Sequence, residues 1–122
     1  MVPKHIRSSS AQGQEKVFCF DIDGVISTLV PNNDYSLSEP CHEMIEKINA
    51  IYDYGHEVIL FTARGSKTGI DWSDLTKKQL KSWGVKYHEL LFGKPSADYY
   101  IDDRNLTLEA LNRVVEKLGI VF

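Results

Sequence analysis

Basic residues are in the minority, with 14 Lys and Arg against 17 Asp and Glu and a formal net charge of −3. That balance leaves no footprint for a polyanion, so tight nucleic-acid binding is not expected. Cysteine is scarce. Cys19 and Cys41 are the only two, and they make no C-x-x-C pair and no Cys/His cluster at metal spacing. They read as free thiols of a reducing compartment, not as a disulfide or zinc framework. No apolar run is long enough to cross a bilayer. The first 14 residues are polar, carry Ser8-Ser9-Ser10 and lack the apolar centre of a signal peptide. These absences predict a cytoplasmic protein with neither a membrane nor a nucleic-acid partner. There are no internal repeats. A chain of 122 residues has room for one domain and can bury a stable core. Residues 1–14 are expected to be a disordered leader and 15–122 a single domain.

Hydrophobic residues make up 43% of the chain, and their pattern alternates between two kinds. Val17-Phe18-Cys19-Phe20 and Val58-Ile59-Leu60-Phe61 are short continuous apolar runs, as in strands buried on both faces of a parallel sheet. Leu90-Leu91-Phe92 and Tyr99-Tyr100-Ile101 predict a third and a fourth strand, and Ile120-Val121-Phe122 a short fifth. Between them lie helical spacings. Met44, Ile45, Ile48, Ile51 and Tyr52 form one face, closed by Gly55; Ser36 or Ser38 can cap its start, and Ser36-x-x-Glu39 matches a capping box. A second helix carries Leu75, Leu80 and Trp83, with Ser73 as cap and Gly84 as stop. A third carries Leu108, Leu111, Val115 and Leu118, with Asn105 or Thr107 as cap and Gly119 as stop. The alternation predicts an α/β fold: a Rossmann-like three-layer sandwich around a mostly parallel sheet.

The polar clusters sit where such a fold gathers them. Asp21 and Asp23 follow the first strand, Thr62 the second, and Asp102 and Asp103 the fourth; Lys94 lies in the loop after the third. In a parallel sheet these points open on one edge, the carboxyl end, where ligands bind. Four carboxylates converging there repel one another strongly, and a cation must hold them. Oxygen donors of this kind favour Mg²⁺. Helix capping accounts for one such aspartate, not for two acidic pairs, each at a strand end.

These residues also carry a resemblance. Phe20-Asp21-Ile22-Asp23-Gly24-Val25-Ile26 looks like the D-x-D-G first motif of the haloacid dehalogenase (HAD) superfamily. Ile59-Leu60-Phe61-Thr62 resembles its second motif, Lys94 in Gly93-Lys94-Pro95 its third, and Tyr100-Ile101-Asp102-Asp103 its fourth. The motifs occur in order and span roughly residues 16–110. Any one is weakly specific; the ordered set is highly specific. Thr62-Ala63-Arg64-Gly65 and Ile101-Asp102-Asp103-Arg104 are most similar to the small phosphatases of that superfamily that have no cap domain, some of which serve surface-polysaccharide pathways.

The resemblance implies a HAD-like phosphatase with Mg²⁺ as cofactor. Asp21 is then the nucleophile that forms an aspartyl-phosphate, and Asp23 the group that protonates the leaving alcohol and later deprotonates water. Thr62 and Lys94 complete the catalytic set, and Thr62, Ala63, Arg64 and Lys94 the substrate-binding set. Asp21, Asp23, Asp102 and Asp103 are the implied metal ligands. Taken singly, Thr62 is a strand-end hydroxyl of the kind that usually caps or turns. Arg64 suits a salt bridge as well as a substrate contact. His42, His56 and His88 lack a partner at diagnostic spacing and are assigned ordinary surface or edge positions.

Two other readings use the same residues. A phosphoacceptor receiver domain also sets acids, a Thr and a Lys on a parallel sheet, but its acidic pair follows the first strand, its phosphorylated Asp the third and its Lys the last, whereas here a second acidic pair, Asp102-Asp103, follows Lys94. A polynucleotide 3′-phosphatase keeps the chemistry, yet the acidic net charge weighs against it. The gap of about a dozen residues between Asp23 and the first expected helix, and the segment 65–72, are too short for a cap domain, so any pocket wall must come from the loop 28–37, the loop 65–72 or another subunit. The site is therefore expected to be open, or covered by another protomer of a homo-oligomer. Asn32, Asn33, Ser66 and Lys67 in these loops suit a small hydroxylated phosphomonoester, a sugar or polyol phosphate.

Overall fold

The computed structural model describes residues 15–92, 97–101 and 108–120. Four strands form: β1 (Val17–Asp21), β2 (Glu57–Phe61), β3 (Glu89–Leu91) and β4 (Tyr99–Ile101). Three α-helices accompany them: α1 (His42–Asp53), α2 (Ser73–Trp83) and α3 (Leu108–Lys117). The strands pair in the order β3-β2-β1-β4, every pair parallel, in an open sheet. The fold is α/β and Rossmann-like.

Burial follows the apolar runs. Phe18, Cys19 and Phe20 of β1 are fully buried, as a strand flanked by neighbours on both edges requires. All of β2 is buried, whereas β3 lies at the sheet edge and is largely exposed. On one face, Phe18, Phe20, Val58, Leu60 and Ile101 meet Ile48 and Ile51 of α1, Leu80 of α2, and Leu111 and Val115 of α3 in one cluster. Each such side chain contributes roughly 1.5–3 kcal/mol by leaving water. On the other face, Cys19, Ile59 and Phe61 form a smaller cluster with Val17 and Ala97. No helix contributes to that second cluster among the described residues.

Two helix starts differ from expectation. The capping box at Ser36 is not formed. Tyr35–Leu37 is a single 3-10 turn, its cap is Asp34 accepting from the Ser36 N–H, and α1 begins only at His42. Pro40 is the reason, because a residue before proline is pushed out of the helical region. The chain there stays extended and pairs with the segment after β1: Thr28 N donates to Glu39 O, and Cys41 N to Ile26 O. Cys41 is thus the residue before α1. At α2, the N-cap position is Trp72, which makes no side-chain cap bond, and Ser73 is the first helical residue; one Asp71 oxygen accepts from both the hydroxyl and the N–H of Ser73. Those bonds hold the Asp71 carboxyl below its ordinary value, the hydroxyl having the larger effect. The glycine stops stand as expected: Gly55 follows α1, and Gly84 is left-handed after α2. Ile120 is not in a strand, and residues 121–122 lie outside the described residues. No helix is long and apolar enough to cross a membrane among the described residues.

Candidate active site

β1 is the strand at which the chain changes direction. From it, β2 and β3 step to one side, and β4 pairs on the other. The carboxyl end of such a strand is the switch point, where the flanking loops part and leave a crevice. Asp21 is the last residue of β1, and its register partner on β2 is Phe61, so Thr62 begins the neighbouring loop one residue later. Parallel register is therefore what brings residues 21 and 62 to one edge.

A cleft of about 420 Å³ opens there, lined by Asp21, Phe61, Thr62, Ala63, Arg64, Gly65, Ser66 and Phe92. Thr62 is almost fully buried. Its N–H donates to Leu91 O at 3.1 Å, tying it to the end of β3, and its Oγ1 accepts from the Arg64 N–H at 3.1 Å. After Asp21 the chain tightens. The N–H groups of Val25, Ile26 and Ser27 all converge on the carbonyl of Ile22, whose side chain is buried. That turn holds Asp23 beside the cleft while keeping it partly exposed, at 17% of its side chain.

Asp23 is gripped by Arg64. Nε donates to Oδ2 at 2.9 Å and Nη2 to Oδ1 at 2.8 Å, a two-pronged pair of the strong kind. Ser27 Oγ approaches Oδ1 at 3.4 Å. Arg64 was expected among the substrate-binding residues, but its side chain is 0% exposed and turned inward. What it presents to the cleft is main chain. The rest of its guanidinium meets Thr76 Oγ1 at 3.0 Å, Gln79 Oε1 at 2.7 Å and Ser38 Oγ at 3.4 Å. Tyr35 lies over it, with its ring centroid 4.6 Å from the guanidinium carbon. The Tyr35 hydroxyl is held above its ordinary value, first by burial and then by the Asp23 carboxylate, with Arg64 opposing.

A second cleft of about 420 Å³ adjoins the first and shares Ala63, Gly65 and Ser66 with it. Asn32, Asn33, Lys67, Tyr35 and Trp72 are among its other walls. The rings of Tyr35 and Trp72 meet edge to face at 5.0 Å. Residues of both loops, 28–37 and 65–72, thus line this second cleft.

Thr76 and Gln79 were not singled out by sequence, and Ser38 only as a possible helix cap. One signal was present. Thr76, Gln79, Leu80 and Trp83 share one stripe of α2 at helical spacing, so two hydrogen-bonding side chains stand on a core-facing stripe. Such a stripe implies a buried polar partner, which is Arg64. His42 is exposed, as expected of a surface position, and His88 is half-buried, but His56 is buried, not at the surface: its Nδ1 accepts from Lys16 N–H, and that of His88 from Val58 N–H. Lys94, Asp102, Asp103 and Arg104 lie outside the described residues. Among the described residues, no group of three or more acids, histidines or cysteines gathers to hold a metal. The Asp21 carboxylate and the Asp23 main-chain carbonyl are hard oxygen donors of the kind that fits Mg²⁺.

No family model matches the chain, and no curated protein matches it. Among solved structures, the chain is similar to the crystal structure of a structural-genomics target from Vibrio cholerae, at 27% identity and a TM-score of 0.59. The likeness covers 84% of this chain and 98% of that one.

Proposed function

We propose that this chain is a Mg²⁺-dependent phosphomonoester hydrolase of the HAD type, working through an aspartyl-phosphate on Asp21. The observation that supports it is the shared cleft: Asp21 ends β1, Thr62 directly follows the neighbouring parallel strand β2, and both line one cavity at the carboxyl edge of the sheet.

In this reading the Asp21 carboxylate attacks phosphorus, and the bond from phosphorus to the leaving oxygen breaks as Asp23 gives that oxygen a proton. A water then loses a proton to Asp23 and attacks the same phosphorus. The bond to Asp21 breaks, and inorganic phosphate leaves with both aspartates restored. Asp23 can do this beside Arg64, because each carboxylate oxygen has two acceptor sites and the guanidinium engages one on each. Thr62 Oγ1 accepts from the Arg64 N–H, which orients the hydroxyl and leaves its own proton to donate to a phosphate oxygen. Lys94 would neutralise the phosphoryl charge as a point cation. Asp21, the Asp23 main-chain carbonyl, Asp102 and Asp103 would hold Mg²⁺, which would supply the positive charge that lets one anion approach another.

The leaving group is a small hydroxylated one, a sugar or polyol. The adjoining cleft supports this with two amides, a lysine and two aromatic rings, a mixture suited to hydroxyls and ring faces. The net charge of −3 is unsuited to a polyanionic polymer. A panel of phosphomonoesters with Mg²⁺ tests the proposal. Sugar or polyol phosphates are expected to be cleaved with the highest kcat/KM, and Asp21→Asn to lose on the order of 10⁴-fold in kcat. No phosphate release from any panel member, or an Asp21→Asn enzyme as active as the parent, would sink it.

A further inference from the structure

We propose that Arg64 is a positioning residue: its guanidinium fixes the Asp23 carboxylate for proton transfer and ties it to the loop that walls the leaving-group cleft. The proposal rests on the assignment of Asp23 as acid and base made above. A guanidinium has five N–H donors, and all of them are in use here. Nε and Nη2 fork onto Asp23, Nη2 also reaches Ser38, and Nη1 reaches Thr76 and Gln79. With its side chain 0% exposed, Arg64 has no donor left for a phosphate oxygen and no path to one. It therefore acts on the reaction through Asp23.

The fork matters because of its shape. Two parallel bonds restrain both the position and the plane of the Asp23 carboxylate, which the single point charge of a lysine cannot do. The fork is itself held. Thr76 and Gln79 belong to α2, a regular helix whose Leu80 is in the core. Gln79 also donates from Nε2 to the Tyr35 carbonyl at 2.7 Å, so one amide holds the cation and the loop together. The Tyr35 ring covers the guanidinium and touches Trp72, a wall of the leaving-group cleft. Acid and cleft wall thus share one rigid frame. A buried ion pair is costly to desolvate and often replaceable by apolar residues. Its place beside the cleft makes sense if an orientation is what it maintains.

The test compares two leaving groups. p-Nitrophenolate departs without a proton, whereas the alkoxide of glycerol phosphate needs one. Arg64→Met is expected to lower kcat/KM, which reports the steps up to departure of the alcohol and not the shared hydrolysis of the aspartyl-phosphate, on the order of 10²-fold on glycerol phosphate and less than about 10-fold on p-nitrophenyl phosphate. Arg64→Lys keeps the charge and loses the fork, and is expected to show the same split. Equal losses on the two substrates would overturn the proposal and leave the function standing. Should the Arg64 variants not fold, Gln79→Leu loosens the same guanidinium and is expected to give the split in weaker form; equal effects there overturn it too. A crystal structure of Arg64→Met reads the geometry without turnover. The Asp23 carboxylate is expected to leave its present place, and its staying put overturns the positioning role. A parent enzyme with no phosphatase activity would instead sink the functional reading, and the crystal structure alone would then decide on Arg64.

Discussion

Thr76 is fully buried on the stripe of α2 that faces Arg64, so exchanging its hydroxyl for a methyl tests how far a buried cation depends on one acceptor. Thr76→Val removes that acceptor at nearly constant volume and leaves one Nη1 proton unsatisfied. The expected cost is about 1–3 kcal/mol, the penalty of an orphaned buried donor. It is read as a lower urea midpoint at unchanged slope; a midpoint equal to the parent's would show that the hydroxyl carries none of the load. The same residue shows where reading by type stops. Asp21 and Thr62 were legible because their neighbours announce them, a polar side chain ending an apolar run. Thr76 and Gln79 were not, because a periodicity search scores polar residues as solvent-facing, and here they face a charge. For Arg64, both a salt bridge and a substrate contact remained open until its partner was placed 41 positions away in sequence.

The turn after β2 depends on a single glycine. Gly65 has φ +83°, and a Cβ there would overlap the Ile70 carbonyl oxygen, a backbone atom that cannot step aside alone. Gly65→Ala is therefore expected to cost at least about 2 kcal/mol through backbone strain. Chemical denaturation checks this, and parental stability would show that the 65–70 loop rearranges freely. Elements with strong local signals came through: β1, β2 and β4, the helical spacings, and the glycine stops of α1 and α2. Helix starts were harder. Ser36-x-x-Glu39 has the spacing of a cap, but Pro40 keeps the chain extended, and the 39–41 segment finds its hydrogen bonds on residues 26 and 28 instead. Capping preferences are worth about 1 kcal/mol, small enough for a proline and a strand-like pairing to override.

Across the molecule, the strand order β3-β2-β1-β4 makes β1 central and gives Asp21 the switch point. If Asp21, Asp23, Asp102 and Asp103 meet there, their mutual repulsion is relieved only by a cation. Turnover is then expected to vanish in excess EDTA and return with Mg²⁺, while Ca²⁺ inhibits because its looser coordination spoils in-line geometry. Mg²⁺ should also raise the melting temperature of the parent, and raise that of Asp21→Asn less, since a ligand that binds only the folded state stabilises it. Full activity in EDTA, with no tightly held metal, would count against the metal.

The amino-acid sequence alone determined the α/β class, the strand runs and the residues that end them, because each is a local pattern of apolar spacing and punctuation. It placed Asp21 and Thr62 on one edge through a general property of parallel sheets. The fold decided what local pattern cannot carry: that Arg64 turns inward to Asp23 instead of outward to a ligand, that Thr76, Gln79 and Ser38 receive it, and that Tyr35 covers it. Those contacts join residues 12 to 41 positions apart. Nothing in a short window distinguishes a buried arginine from a solvated one; the choice follows from which acceptors packing brings within reach, since a charge leaves water only where hydrogen bonds replace it.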